Sequence, residues 1–523
     1  MSFLARIIEE RQSTVAGKII RNVLSAGLRV LIIGPVPFLL TPYILKKLGT
    51  GEYGTWAVFL AAVNLGSLAD LGLVGTLSKH VSQYSARGDE AALSRLVNTG
   101  LVLFCAIAVG LVAGGGMAAD AVARFFFRDS PIPIEELVFL LRCGLILAAT
   151  NIVTLLFSSI LAGLQRVDLT SMGASFNVLL SAVLSAIFLS LSLGIRGLLF
   201  ANLAGAVTTL LMYAVLARKL LPSVHIGVRY FELAEMRTMF SFSLQFYLTQ
   251  MAVAVHNQVE KLYLGRLVGV VPAGWYEISA DAALKLRAAP GLLLGPLIPA
   301  ASELAARRDH RRATELYFRA HKYLALLGLP LIAYMVLVAD RFIRLWLGPG
   351  FEILVTPFRV LLIMNYFNLL TGPGYLILVG SGILRPGVYS AFIGIVLNVV
   401  VSFLLIYWYG FPGAVVGTSV SLFVASALFV HLYHRQTGHS FSRLVREAYL
   451  KPLACVLVLV LLMRAIVEWR QAGWATLAGH GLLFAVLYFV GVSRMRFFDE
   501  FDLGKLQAYF PAGRLLARLI PVA

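Results

Sequence analysis

The sequence predicts an all-α polytopic membrane protein of about fourteen transmembrane helices, and two observations lead to this class. Hydrophobic residues make up 59% of the 523 residues and charged residues only 13%, whereas a soluble domain carries about 25% charged residues. The apolar residues also fall in runs of about 20, the length that a helix needs to cross the hydrocarbon core. Because these runs are continuous and do not alternate with polar residues, we expect helices and not the strands of a barrel.

The apolar runs define the expected spans in chain order. Their expected limits are 20–46, 54–79, 97–122, 137–162, 172–194, 197–218, 241–265, 275–300, 321–347, 355–380, 388–409, 412–434, 450–468 and 473–493. Proline removes a helix hydrogen bond. We therefore expect breaks in the first span at Pro35, Pro37 and Pro42, and in the eighth at Pro290, Pro296 and Pro299.

The spans group into two bundles of six helices and a final pair. The expected segments are a cytoplasmic N-terminal segment 1–19, a bundle 20–222, a cytoplasmic linker 223–240, a second bundle 241–435, a cytoplasmic loop 436–449, two extra helices 450–493 and a cytoplasmic tail 494–523.

The uneven distribution of the Lys and Arg residues behind the net charge of +18 sets the orientation. Much of the basic density lies in Arg307–Arg312 and in Arg435–Lys451, and basic loops stay on the cytoplasmic side. We therefore expect both termini in the cytoplasm of a bacterial inner membrane. These charges face anionic membrane lipid, so nucleic acid is not an expected partner. The three cysteines lie in apolar runs without metal spacing, and we expect no metal or cofactor.

The chain repeats itself weakly at an offset of about 220 residues. The segment Gly49–Gly54 recurs as Gly269–Gly274. A second match, at an offset of 217, pairs Arg142 with Arg359 and Asn151 with Asn368. We expect these four residues to have a shared structural role. Six spans per repeat predict a pseudo-twofold axis along the membrane normal, with the substrate path between the halves.

Several short motifs carry a family resemblance. They are GTGEYGTW from Gly49, DLGL from Asp70, LAGLQR from Leu161, EKLYLGRLVGVVPAGWYEISA from Glu260 and RLWLGPGF from Arg344. Together they resemble the O-antigen and exopolysaccharide flippases of the multidrug/oligosaccharidyl-lipid/polysaccharide (MOP) exporter superfamily. Where family members often have an Asp-Lys pair in the seventh span, this sequence has Glu260-Lys261.

The resemblance implies a function as well as a fold. Such proteins move polyprenyl-pyrophosphate-linked oligosaccharides to the outer leaflet by ion-coupled alternating access, and they are not enzymes. It implies a lipid-linked oligosaccharide and membrane lipid as partners, and a proton or sodium ion as coupling ion. It also implies glycosyltransferases and a polysaccharide polymerase as neighbours, and a monomeric state.

Charged residues inside spans are costly, so they mark candidate sites. We expect Arg29, Lys261, Lys285 and Arg287 to form a cationic surface for a pyrophosphate, since arginine and lysine bind phosphates well. Asp70 and Glu260 are the candidates for ion coupling, because a carboxylate in a low-dielectric cavity can exchange a proton. The alternative is that these charges only neutralise each other, as Asp281 with Lys285, or Asp70 or Glu260 with Arg29 or Lys261.

Three other functions compete with this interpretation. A multidrug or cation exporter of the same superfamily is expected to have a more acidic cavity. A lipid II flippase fits the same residues. A membrane polysaccharide polymerase or ligase requires large outer loops with catalytic residues, and every predicted outer loop is short.

Overall fold

The computed structural model describes residues 33–66, 72–466 and 473–509, and in these ranges the chain is helical and contains no strand. The predicted all-α class is therefore confirmed. The helices are α1 (Pro35–Gly66), α2 (Leu73–Arg87), α3 (Glu90–Phe126), α4 (Ile134–Gly163), α5 (Val167–Ser190), α6 (Gly194–Leu220), α7 (Leu233–Leu267), α8 (Val270–Gly291), α9 (Leu297–Ala306), α10 (His310–Leu347), α11 (Val355–Leu369), α12 (Gly372–Gly380), α13 (Arg385–Tyr409), α14 (Phe411–Thr437), α15 (Phe441–Leu444), α16 (Leu450–Ile466), α17 (Trp474–Arg494) and α18 (Glu500–Tyr509).

Eleven segments of the described chain are long and apolar enough to cross a membrane. They coincide with the predicted spans three to six and eight to fourteen, so the chain is a multi-pass membrane protein. The predicted seventh span lies within α7, which is not among the eleven. The predicted first and second spans extend into residues outside the described ranges.

The breaks expected at proline are confirmed in the eighth predicted span and only in part in the first, where α1 begins at Pro35 directly after a turn at Gly34. The eighth span is interrupted between Gly291, where α8 ends, and Leu297, where α9 begins. In contrast, α1 continues through Pro42, and its one non-helical residue is Gly49 with φ 75° and ψ 174°. Glycine adopts this positive φ without steric cost. A single helix with a kink at Gly49 therefore joins residues 35–46 of the first predicted span to residues 54–66 of the second, whose residues 73–79 belong to α2.

The chain divides into two compact units. The first contains residues 1–278 and 387–421, and the second contains residues 279–386 and 422–523. In the first, a core of Leu77, Phe104 and Ile152 joins α2, α3 and α4. In the second, Phe484 and Tyr488 of α17 and neighbouring side chains of α16 pack against α10. The bundle limits expected from the sequence stay a prediction.

The sequence repeat has a counterpart at two helix starts. Asp89 precedes α3 and its carboxylate accepts a hydrogen bond of 2.9 Å from the backbone N–H of Ala92. Asp309, 220 residues further on, precedes α10 and accepts an equivalent bond of 3.0 Å from Arg312 N–H. Such capping satisfies a backbone donor that the helix leaves unpaired. Both helices are long, with 37 and 38 residues.

Gly163 and Gly380 occupy matching places in the two repeats, and each lies close to the backbone of a neighbouring helix. A Cβ atom added at Gly163 would lie 2.6 Å from the backbone oxygen of Ser78, and one added at Gly380 would lie 2.8 Å from the backbone oxygen of Ile298. Ser78 and Ile298 are themselves 220 residues apart. The same close helix approach therefore occurs once in each compact unit, and both positions require glycine because no side chain fits.

Candidate functional site

A buried carboxylate lies at the centre of a polar cluster in the first compact unit. Glu260 of α7 has no exposed surface. Its Oε1 atom accepts hydrogen bonds from the Asn398 amide, from Ser402 Oγ at 3.3 Å and from Thr418 Oγ1 at 2.8 Å. Burying an ionised carboxylate is costly unless polar partners replace water. Three neutral donors on one oxygen supply part of that compensation.

The spacing of the donors explains why they meet Glu260. Asn398 and Ser402 are four residues apart on α13, and Thr418 lies on α14 three residues before Ser421, whose Oγ accepts a hydrogen bond of 3.3 Å from the Asn398 amide. Residues at these spacings share one helix face. Each helix therefore turns one polar stripe toward α7. Sequence reasoning missed these donors, although polar pairs at helical spacing in apolar helices were a visible signal.

The cluster continues beyond the carboxylate. Tyr276 and Thr418 are joined by a hydrogen bond of 2.7 Å between their hydroxyls. Since the Thr418 proton points to Glu260, the Tyr276 hydroxyl is the donor of this bond. Two buried acceptors, Glu260 Oε2 and Asn398 Oδ1, have no hydrogen-bond partner among the described residues. The cluster thus contains two oxygen atoms that a proton or a small cation can satisfy.

Lys261, next to Glu260 in the chain, has a different partner. Its Nζ lies 2.7 Å from Glu277 Oε2 on α8, and the Lys261 side chain is only 5% exposed. The alternative that Glu260 and Lys261 neutralise each other is therefore wrong. The two residues contact different helices, because successive residues of a helix point about 100° apart. Lys261 is expected to offer little free positive charge to a ligand.

Lys285 and Arg287, the other two described residues of the predicted pyrophosphate surface, lie in the second compact unit. Lys285 forms an ion pair with Asp281 one turn earlier on α8, as the sequence alternative proposed. Arg287 is half-buried and makes no ion pair or hydrogen bond with any residue of the described ranges. Of the described cations predicted for the pyrophosphate surface, Arg287 is the one whose charge is not offset by a described carboxylate.

Two predicted site residues lie outside the described ranges. Arg29, a candidate for the pyrophosphate surface, and Asp70, a candidate for ion coupling, both fall there.

The four residues matched by the 217-residue offset differ in their burial and in their hydrogen-bond partners. Arg359 donates to the backbone oxygen of Val336 at 2.9 Å and to Asp340 at 2.6 Å. Asn368 donates to Ser426 Oγ at 3.0 Å. Arg142 is exposed and Asn151 is half-buried. Their shared structural role stays a prediction.

The comparisons with known proteins identify a family and a shared fold. A family described as polysaccharide biosynthesis protein matches residues 19–303. No curated protein matches the chain. The lipid II flippase MurJ, in an inward closed conformation, is 13% identical, with a TM-score of 0.69 over 91% of this chain and 98% of its own.

Two further solved structures share this fold. An inward-facing multidrug resistance MATE family transporter of the MOP superfamily is 17% identical, with a TM-score of 0.64 over 79% of this chain and 98% of its own. A MOP superfamily transporter from Pyrococcus furiosus is 16% identical, with a TM-score of 0.55 over 82% of this chain and 100% of its own. The all-α fold expected from the sequence is therefore confirmed by solved structures that share it.

Proposed function

The chain belongs to the polysaccharide biosynthesis protein family, and we propose that it carries a polyprenyl-pyrophosphate-linked oligosaccharide from the inner to the outer leaflet of the bacterial inner membrane. The observation that carries this proposal is the family match, which spans more than half of the chain. The MOP transporter fold supports it, because that fold serves movement across a membrane and not bond-making chemistry.

Coupling to an ion gradient is assigned to the cluster around Glu260. An ionisable side chain that is fully buried among membrane helices is costly and is retained for function. A proton or a sodium ion that reaches Glu260 neutralises its charge and lowers the cost of keeping it out of water. Ion binding then favours the arrangement in which α13 and α14 contact α7 at this point.

We assign the pyrophosphate to Arg287, and the role predicted for Arg29 stays a proposal. Arg287 offers a planar fork of donors that suits two phosphate oxygens at once. Lys261 and Lys285 were predicted for the same surface, but each has a carboxylate partner, Glu277 and Asp281 respectively. We assign these lysines a weaker role, since binding a ligand requires exchange of that partner.

The competing transporters differ in the substrate that crosses the membrane. A multidrug exporter moves cationic compounds, and a lipid II flippase moves a peptidoglycan precursor. Both share this fold, so the choice rests on the family match. A polymerase or ligase is not favoured, because the matched fold belongs to transporters.

A substrate comparison in proteoliposomes tests the proposal. The full chain is reconstituted, and the transfer between leaflets is followed for a labelled undecaprenyl-pyrophosphate oligosaccharide, for lipid II and for a cationic dye. We expect transfer of the oligosaccharide lipid above the rate in protein-free vesicles. Gradient-driven movement of the dye alone would replace the proposal by drug export, and movement of lipid II alone would replace it by the peptidoglycan precursor.

A further inference from the structure

Four arginines line one pocket at the C-terminal end of α10. They are Arg341, Arg344, Arg359 and Arg464, and among the described residues that line the pocket Asp340 is the one acidic residue. Since arginine stays protonated in proteins, these five side chains carry a net charge of +3. The pocket has a volume of about 690 Å³, which is within the size range of small-molecule sites.

The position of the pocket makes its charge unusual. The N-terminal end of α10 begins with His310, Arg311 and Arg312, at the basic cluster that defines the predicted cytoplasmic side. The pocket lies at the opposite end of the same helix, which is the outer side in the predicted orientation. The tendency of basic residues to stay in the cytoplasm accounts for the first cluster and not for the second.

The first repeat provides an internal comparison. Asp120 and Arg124, 220 residues before Asp340 and Arg344, form an ion pair with hydrogen bonds of 2.8 and 3.2 Å. Arg142, the counterpart of Arg359, makes no hydrogen bond or ion pair with Asp120. An acidic residue and two arginines at a helix end are thus a common feature of the repeat, and in the first half they neutralise one another to a net charge of +1.

The second repeat departs from this pattern in three ways. Asp340 pairs with Arg359 at 2.6 Å, so Arg344 loses the partner that Arg124 has. Arg341 stands where the first repeat has Ala121. Arg464 is added from α16, outside the repeat. Within the described ranges, neither Arg344 nor Arg464 makes a side-chain hydrogen bond or ion pair. A structural role for the repeat does not require these extra charges.

The surroundings of the arginines identify the class of ligand. Leu337 and Val338 line the pocket one helix turn deeper along α10. Leu461 and Ile466, which flank Arg464 on α16, are 68% and 76% exposed, as expected for side chains that face lipid tails. Arginine binds phosphate oxygens through two parallel hydrogen bonds. We propose that this pocket binds the phosphate of a lipid headgroup at the outer surface of the membrane that the protein spans. Support for this lipid site does not rest on the proposed translocation.

Native mass spectrometry of the full-length protein in detergent tests the site. The protein is titrated with phosphatidylglycerol, with zwitterionic phosphatidylcholine and with undecaprenyl pyrophosphate. We expect the wild type to prefer one or both anionic lipids over phosphatidylcholine. Preference for both indicates a general phosphate site, and preference for undecaprenyl pyrophosphate alone indicates a site for the polyprenyl headgroup. Equal binding of all three lipids would overturn the proposal.

Variants connect that preference to the pocket. The double variant Arg344→Ala/Arg464→Ala is expected to lose about tenfold or more in affinity for the anionic lipid, because two charge-assisted contacts disappear. Both side chains are exposed, so folding should be unaffected. Lysine at both positions keeps the charge without the planar fork of donors and should give a smaller loss of affinity.

Arg124→Ala, the counterpart of Arg344 in the first repeat, is the matched control and should change affinity by less than about twofold. Unchanged binding by the double alanine variant, or an equal loss in the control, would refute the site.

Discussion

At the scale of single residues, adjacent charges in one helix have separate roles. Glu260 is held by side chains of α13 and α14, whereas Lys261 is held by Glu277 of α8. The sequence predicted that both residues matter, because ionisable groups inside spans are rare. It could not predict their partners. Which helix faces each residue depends on packing between segments that are far apart in the chain.

Removal of the buried carboxylate should destabilise the protein. In Glu260→Ala, the donors on Asn398, Ser402 and Thr418 lose their shared acceptor, and buried unpaired donors cost about 1–3 kcal/mol. We expect the thermal unfolding midpoint in detergent to fall. Glu303→Ala, which removes an exposed ion pair with Arg307, serves as control and should change stability by less than about 1 kcal/mol. Equal midpoints for the two variants would contradict the cluster.

The pair of Lys261 and Glu277 can be tested by a double-mutant cycle. Lys261→Ala leaves a carboxylate without its partner, and truncating one member of a desolvated pair costs about 2–5 kcal/mol. Because the Glu277 side chain is 24% exposed, we expect the lower end of that range. The double variant Lys261→Ala/Glu277→Ala should recover part of the loss in thermal stability. Additive losses would mean that the two charges do not interact.

Arg287 and Lys285 should differ in their effect on transport. The Lys285 charge is offset by Asp281, whereas Arg287 has no ion pair among the described residues. Arg287→Ala should lower transfer of the oligosaccharide lipid by about tenfold or more, as expected when a charge-assisted contact to phosphate is lost. Lys285→Ala should have a smaller effect. Wild-type transfer by Arg287→Ala, with normal membrane insertion, would remove this residue from the site.

At the scale of helices, the repeat was predictable from single matched residues. Matches such as Gly49–Gly54 with Gly269–Gly274 indicated two related halves, and the structure adds two further equivalences, capping at Asp89 and Asp309 and close helix contact at Gly163 and Gly380. The continuation of α1 through Pro42 was not predictable. Proline disfavours a helix locally, and tertiary packing decides whether the helix continues.

The two repeat glycines should be equally intolerant of alanine. In Gly163→Ala and Gly380→Ala the new Cβ atom would meet a backbone oxygen at 2.6 and 2.8 Å, so each pair of helices must move apart. Such overpacking costs about 1–3 kcal/mol. Gly110→Ala in α3 is the control, because its Cβ meets no atom within 4 Å. We expect lower unfolding midpoints for the first two variants only. An unchanged midpoint in either would contradict the close contact.

At the scale of the whole molecule, composition was sufficient to predict the fold class. Long apolar runs permit little other than membrane helices, and the matched transporter folds agree. The cluster around Glu260 could not be predicted in the same way. Asn398 and Thr418 lie 138 and 158 residues from Glu260 in the chain, and only the packing of helices brings them together.

The most direct test of ion-coupled lipid transfer follows a labelled undecaprenyl-pyrophosphate oligosaccharide between the leaflets of proteoliposomes. Wild-type protein and Glu260→Gln are compared with and without an imposed proton or sodium gradient. Glutamine keeps a hydrogen-bond acceptor for the three donors but cannot become charged. We predict that one gradient accelerates transfer by the wild type and that Glu260→Gln does not respond to it. Transfer by Glu260→Gln that responds to the gradient like the wild type would contradict coupling at Glu260, and absence of oligosaccharide-lipid transfer by the wild type would contradict the proposed function.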